Sequence, residues 1–412
     1  MNTIGGLPQS AKLLLAAKAA RSVGQGALVV DFALYLHALG WSAVDIGGLY
    51  SGSLIFGAVA ILTIGPASDR YGARRFLQGY ELLQISCAIT AIFSASPWLL
   101  GGAAILGTFG HGAAGGAGPF SPAEQSWLSR TVNPVYMGFV FRWNAGIGFF
   151  GMGIGALMGG IPDYFAHEIP TLMGFRIIFI LVFIGALMTW VLLYFTEEQR
   201  SMSVPPKVAL TEEFEPHTEN RIPPPWKTLF TLFGINALNG VEIGMIGPLM
   251  AYWFAIRFGV GPAAIGEMMG AAFMSAGIMS IVAGRLVARW GPVSTVLFFR
   301  TSGLVMLILI PLMPYFGLAV VCFVLRATFN QGSLGSRQSL FLSLVPQQHR
   351  GLAATFNSVS IQIPRAIGPS IAGSLMQMGL LSAPFFIAAG FQGLYILLYG
   401  RFFQSRQARS CL

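Results

Sequence analysis

Asp31 and Glu242 interrupt two long apolar stretches, VVDFALYLHAL and ALNGVEIGMIG, in a chain of which only 9% is charged. An ionisable side chain at membrane depth costs at least ~2.5 kcal/mol, so one that is kept there has work to do. Both are candidates for carrying a proton, a role that suits a carboxyl group withdrawn from water. The alternatives are a permanent salt bridge from Asp31 to an arginine, and interhelical hydrogen bonding by Glu242.

Polar neighbours accompany both acids. At about 100° per residue, Arg21, Gln25, Asp31 and Tyr35 fall within one third of a helix circumference, as do Asn236, Asn239 and Glu242. Each set predicts a polar stripe facing a cavity or a partner helix. Four arginines lie inside apolar runs: Arg21, Arg142, Arg326 and Arg365. Together with Gln25, Tyr35, Asn236 and Asn239 they are the candidates for lining a substrate cavity. An unpaired arginine there would bind carboxylate or phosphate through its planar fork. Asp31, Glu81 and Glu242 nearly balance the arginines, which favours pairing. His111, in GTFGHGAAGG, offers an imidazole near neutrality or a structural hydrogen bond.

Other chemistries lack their residues. No cluster of histidines and carboxylates accompanies the two acids, so no metal site is expected. No G-x-x-x-x-G-K-[ST] loop cradles a nucleotide and no hydrolytic constellation is visible, so the chain is read as a non-enzyme without a cofactor. Cys87 and Cys322 lie in apolar runs and Cys411 is penultimate, leaving no paired framework.

The elements that must position these residues follow from hydropathy. A hydrophobic fraction of 55% and a mean hydropathy of +0.69 describe a membrane chain. Crossing the bilayer as a helix takes about 20 mostly apolar residues. Such segments fall near 12–37, 44–65, 75–95, 98–118, 136–160 and 173–195, and again near 228–256, 264–288, 294–313, 315–335, 352–377 and 381–402. Lys18 and Arg21 break the first run and no small-residue cleavage site follows it, so it reads as a retained helix.

Basic residues set the expected orientation. Arg70, Arg74, Arg75, Arg130, Arg289, Arg337, Arg350, Arg401, Arg406 and Arg409 fall on one side, while the opposite loops offer little beyond Arg176 and Arg257. The positive-inside rule then puts both termini in the cytoplasm. The sequence pI near 9.7 is a topology signal and no argument for nucleic acid. The expected setting is a bacterial inner membrane, with the lipid bilayer, protons and a small-molecule substrate as partners and a monomer as the assembly.

The chain is written twice. EQSWLSRTVNPVYMG, from Glu124, lies without a gap over RQSLFLSLVPQQHRG, from Arg337, and Gln125/Gln338, Gly138/Gly351, Asn144/Asn357 and Gly155/Gly368 all keep an offset of 213 residues. GPASDRYG, from Gly65, has an echo in GRLVARWG, from Gly284, with Ala288 in place of Asp69. A Pro- and Glu-rich segment separates the copies, which divides the chain into an N-terminal half over 1–195, a cytoplasmic linker over 196–226 and a C-terminal half over 227–412.

GPASDRYGARR, placed after the second of twelve spans, resembles the signature of the major facilitator superfamily, and the resemblance covers essentially the whole chain. It implies an all-α membrane protein with twelve transmembrane helices in two pseudo-symmetric six-helix bundles around a central cavity, working by alternating access. It also implies that Gly65, Asp69, Arg70, Gly72, Arg74 and Arg75 form a conformational latch; the arginines alone read equally well as topology anchors. GMGIGALMGG, with Gly151, Gly155, Gly159 and Gly160, resembles the glycine motif of antiporters in this superfamily, with Ala156 in place of its proline. PRAIGPSIAG restores that proline as Gly368 and Pro369, although such glycines also simply allow close helix packing. RATFNQG, opening with Arg326, resembles the superfamily's helix 4 pattern, whereas helix 4 of this chain has no arginine.

The expectation from residues and resemblance together is a proton-coupled antiporter exporting small amphipathic or apolar organic compounds. The competing expectations are a proton-coupled symporter of an organic anion such as a monocarboxylate, and a membrane receptor or scaffold that transports nothing.

Overall fold

The computed structural model describes residues 6–110, 121–133, 136–165, 171–197, 226–343 and 350–410. Its helices are α1 (Gln9–Ala38), α2 (Ala43–Tyr71), α3 (Ala73–Phe93), α4 (Pro97–Gly107), α5 (Ser121–Thr131), α6 (Met137–Met158), α7 (Ile161–Tyr164) and α8 (Thr171–Tyr194). The second half follows with α9 (Trp226–Ile246), α10 (Met250–Phe258), α11 (Pro262–Trp290), α12 (Pro292–Leu309), α13 (Phe316–Ser343), α14 (Arg350–Gln377) and α15 (Ala383–Ser410). Ten helices among the described residues are long and apolar enough to cross a membrane. Two bundles result, α1 to α8 and α9 to α15.

The sequence sets several boundaries directly. Proline in the first turn opens α4, α11 and α12, where its missing N–H would have no partner in any case. Gly72 and Gly291 take positive φ, 96° and 76°, at the turns that open α3 and α12. These two turns match across the repeat, and both need the left-handed freedom of glycine.

Three expected boundaries change. The fourth span, expected over 98–118, is interrupted: α4 ends at Gly107, Thr108 turns with φ of 49°, and Glu124 stands on a separate helix, α5. The seventh span breaks between Ile246 and Met250, around Gly247 and Pro248. α13 continues to Ser343, so Arg337 lies on a helix and not in the loop after it.

Packing differs between the two ends of the molecule. Where α1 finishes and α2 begins, one apolar cluster runs through both bundles and includes Phe32, Tyr50, Phe179, Trp253, Phe254 and Phe385. At the opposite end the apolar core divides into one cluster around Leu77 and Trp127 and another around Val296 and Tyr399. Small residues let the bundles meet: Gly47 of α2 lies on Pro369 and Gly373 of α14, and Gly266 of α11 lies on Ala156 of α6. Hydrogen bonds tie the same end. Ser51 Oγ accepts from the Ser370 N–H at 3.1 Å, the Ala43 N–H donates to Gln377 at 3.0 Å, and the Ala263 N–H donates to Asp163 at 2.8 Å.

Candidate functional site

The first crossing of each bundle carries charge into the interior, where α3 and α5 meet it in the first half and α12 and α13 in the second. In the N-terminal half, Arg21 of α1 donates from Nη1 to Glu81 of α3 at 3.1 Å and from Nη2 to Glu124 of α5. Lys18, one turn earlier, sits 3.3 Å from the other Glu124 oxygen. All four side chains are buried, with two cations against two carboxylates.

In the C-terminal half, Glu242 of α9 is fully buried between two arginines. One carboxylate oxygen accepts from Arg300 of α12 at 3.2 Å and the other accepts from Arg326 of α13. Arg300 also donates to Asn239 at 2.6 Å and to Asn330 at 3.1 Å, and its guanidinium lies 5.1 Å from the centre of the Tyr395 ring. Gln392 of α15 donates to the Arg300 carbonyl at 2.9 Å, fixing the backbone that carries the guanidinium. Asn236 is turned to α14, donating to Asn357 at 3.0 Å and Ser360 at 3.2 Å.

Asp31 differs from the other buried acids. It is 1% exposed, and neither carboxylate oxygen has a hydrogen-bond partner or a cation among the described residues. The expected salt bridge from Asp31 to an arginine does not form among the described residues. Its Oδ2 lies against Gly159 at the end of α6, where an added Cβ would come within 2.9 Å of it.

The expected stripe on α1 does not line one surface. Arg21 reaches α3 and α5, Asp31 meets α6, and Tyr35 packs edge-on to Phe179 of α8 at 5.4 Å. Gln25 is only partly buried. The correction has a physical reason: α1 is enclosed by other helices on several sides, so residues within one third of its circumference meet different neighbours. Arg21 and Arg326, expected as cavity residues, are neutralised inside their own bundles. Arg142 is exposed, beside Gly284 of α11, and Arg365 is buried with its backbone against Gly244 of α9.

Glycines of the antiporter-like stretch act as contact points. Gly151 lies on Ser22, and Gly155 lies on the backbone of Val23 and Ala27, leaving no room for a side chain. Gly160 faces Ala263 of the other bundle. Gly368 repeats the contact of Gly155 in the second half, against Gly244 of α9, and Pro369 is one of two prolines inside α14. Of the latch residues, Gly65, Asp69 and Arg70 lie outside the residues whose side chains are described, as does His111. Arg74 donates to the Tyr194 carbonyl at 2.6 Å and stands 5.5 Å from the centre of that ring, and Arg75 is exposed.

Lys18, Glu124, Arg300 and Asn330 were not singled out from the sequence. The repeat carried the signal for two of them. The offset of 219 residues that superposes Gly72 on Gly291 also places Glu81 over Arg300, and the offset of 213 places Glu124 over Arg337.

The sequence profile of the Major Facilitator Superfamily matches residues 14–241 and again 232–410. No curated protein matches the sequence. Among solved structures, a D-xylose-proton symporter superposes with a TM-score of 0.72 at 15% identity, covering 94% of this chain and 96% of that one. The nucleoside transporter NupG gives 0.66 at 13%, covering 96% and 99%. A bacterial homologue of the iron transporter ferroportin, in an inward-facing state, gives 0.67 at 15%, covering 95% and 97%. At these identities the likeness establishes the fold.

Proposed function

Because the chain belongs to the major facilitator superfamily and is a multi-pass membrane transporter, we propose that it is a proton-coupled antiporter exporting small, partly apolar organic compounds by alternating access. Asp31 carries this reading. Glu81, Glu124 and Glu242 each face at least one cation, whereas Asp31 faces none among the described residues. A charge there would be buried without compensation, so gaining or losing a proton changes the stability of the state that encloses it. A group of this kind can drive a rocking transition, because it titrates on one side and must be neutral to pass to the other.

Its location fits that role. Asp31 sits at the end where one apolar core joins both bundles, beside Gly159 of the antiporter-like stretch. With both termini cytoplasmic, as the basic loops suggest, that end is the outer one and the conformation is closed to the outside. Pairing of Arg21 and Arg326 within their bundles favours neutral or cationic cargo over an organic anion, since neither fork is free for a carboxylate. The setting that suits this reading is a bacterial inner membrane, with the protein acting as a monomer.

The test is a panel of amphipathic compounds in everted vesicles and proteoliposomes with an imposed pH gradient. Asp31→Asn is expected to abolish gradient-driven movement while retaining exchange of substrate for substrate, which does not require the proton to leave. Gradient-driven movement at the wild-type level in that variant would remove Asp31 from the coupling.

A further inference from the structure

Arg337 of the second bundle pairs with no acid among the described residues. It stands on α13 at the position that Glu124 holds in the first copy, where Glu124 meets Lys18 and Arg21. Inverting that cluster would require a carboxylate for Arg337, but Glu242 is already taken by Arg300 and Arg326. Arg337 and Arg300 are near enough for their like charges to act on each other. No carboxylate among the described residues pairs with Arg337, and its Nε is buried without a hydrogen-bond partner.

A cavity of about 40 Å³ adjoins this side chain within the bundle, lined in part by Asn236, Asn357, Phe341 and Tyr399. None of the described residues that line it is acidic. The Tyr399 hydroxyl, on a residue only 4% exposed, is buried without a partner among the described residues, as is the hydroxyl of neighbouring Tyr395. A guanidinium can only donate, and a phenol facing a guanidinium is oriented to donate as well. The site therefore offers positive charge and donors in a pocket with room for a few non-hydrogen atoms.

We propose that this cavity binds a small carboxylate anion, of the size of formate or acetate, between the Arg337 guanidinium and the Tyr399 hydroxyl. The anion takes the place that Glu124 fills in the first bundle and completes the charge balance of the second. It is a resident ligand that stabilises the bundle, distinct from the transported molecule, and its binding does not depend on the direction or coupling of transport. A planar carboxylate matches the two parallel N–H donors of the fork, which favours it over a spherical halide. The cavity's small size is expected to disfavour an anion as bulky as gluconate.

The experiment follows thermal unfolding of the purified full-length protein against acetate concentration, with gluconate replacing acetate so that ionic strength is constant. Acetate is expected to raise the melting temperature in a saturable manner, as a ligand of the folded state does. Arg337→Gln should raise the half-saturating concentration at least ~10-fold, equivalent to about 1.4 kcal/mol. Tyr399→Phe, which keeps the ring packing, should raise it a few-fold and serves if Arg337→Gln fails to fold. A wild-type protein indifferent to acetate, or either variant responding as wild type does, would overturn the assignment. A parallel series in nanodiscs with and without phosphatidylglycerol tests the other source of an anionic group. Stabilisation by that lipid alone, with none from acetate, would mean a headgroup occupies the site, and the proposal fails.

Discussion

In the N-terminal bundle the cations stand on α1 and the carboxylates on α3 and α5; in the C-terminal bundle α9 supplies the carboxylate and α12 and α13 supply arginines. Glu81 and Arg300 occupy matching positions in the repeat, as do Glu124 and Arg337. The two copies have kept a cluster that ties three helices together while reversing its sign. What is retained across the repeat is therefore the compensation of charge in a dry interior, which any arrangement of opposite signs can supply. The copies differ in remainder. Lys18 and Arg21 match Glu81 and Glu124 one for one, whereas a single Glu242 serves Arg300 and Arg326, with Arg337 left beside them.

This inequality predicts the largest effect. Glu242→Gln leaves two buried guanidiniums with no carboxylate, and removing one side of a buried pair costs about 3–5 kcal/mol. Glu81→Gln leaves Arg21 with Glu124 and should cost no more than about half as much. Thermal unfolding in detergent compares them directly. If the two variants melt alike, the bundles do not differ in the way their ion pairs suggest.

Arg326→Gln sharpens the same comparison from the other side. Glu242 keeps Arg300, so the protein should fold but lose stability, and turnover should fall for every cargo without a selective rise in KM for anions. A double-mutant cycle with Glu242→Gln should give a coupling energy of at least ~1 kcal/mol. An anionic cargo whose KM alone rises ~10-fold would instead make Arg326 a substrate ligand, a change of about 1.4 kcal/mol in binding.

Much of this architecture was legible in the sequence, and the failures have identifiable causes. The spans and the burial of Asp31 and Glu242 follow from apolar runs interrupted by charge, and the repeat follows from residues matched at a constant offset. Arg300 lies inside the expected span 294–313 just as the four singled-out arginines lie inside theirs, but no acid stands near it in sequence to point to its pairing. Glu124 falls between the expected spans 98–118 and 136–160, where hydropathy cannot distinguish a short polar helix from a connection. The α1 stripe was correctly located but wrongly assigned to one surface, because periodicity gives the direction of a side chain and says nothing of which helix waits there. Pairing across |i−j| of 60 to 103 residues depends on tertiary structure alone.

Asp31 offers a contrast with these paired acids. Glu242→Gln should destabilise strongly, whereas Asp31→Asn removes a group that has no partner to lose. Its melting temperature should match or exceed that of the wild type, by no more than about 1–2 kcal/mol in stability, because burying a neutral amide costs less than burying a charge. A loss as large as that of Glu242→Gln would reveal a counter-charge for Asp31 and weaken its role in coupling.

The smallest effect concerns the surface where the two bundles meet. Ser51 Oγ of α2 accepts from the Ser370 N–H at 3.1 Å and shares a hydrogen bond with the Ser370 hydroxyl at 2.7 Å, at the end where the apolar core is continuous. These bonds exist only while that end is closed, so Ser51→Ala should bias the protein toward opening there without touching the ion pairs inside either bundle. A net hydrogen bond contributes about 0.5–1.5 kcal/mol, which shifts a two-state equilibrium roughly 2- to 10-fold. Spin labels on Val44→Cys and Met378→Cys, both exposed in this conformation, report the separation of α2 and α14. The long-distance population should grow by that factor in Ser51→Ala, with the melting temperature lowered by no more than a few degrees. An unchanged distance distribution would mean that glycine packing, at Gly47 against Pro369 and Gly373, holds this end closed without help from the serines.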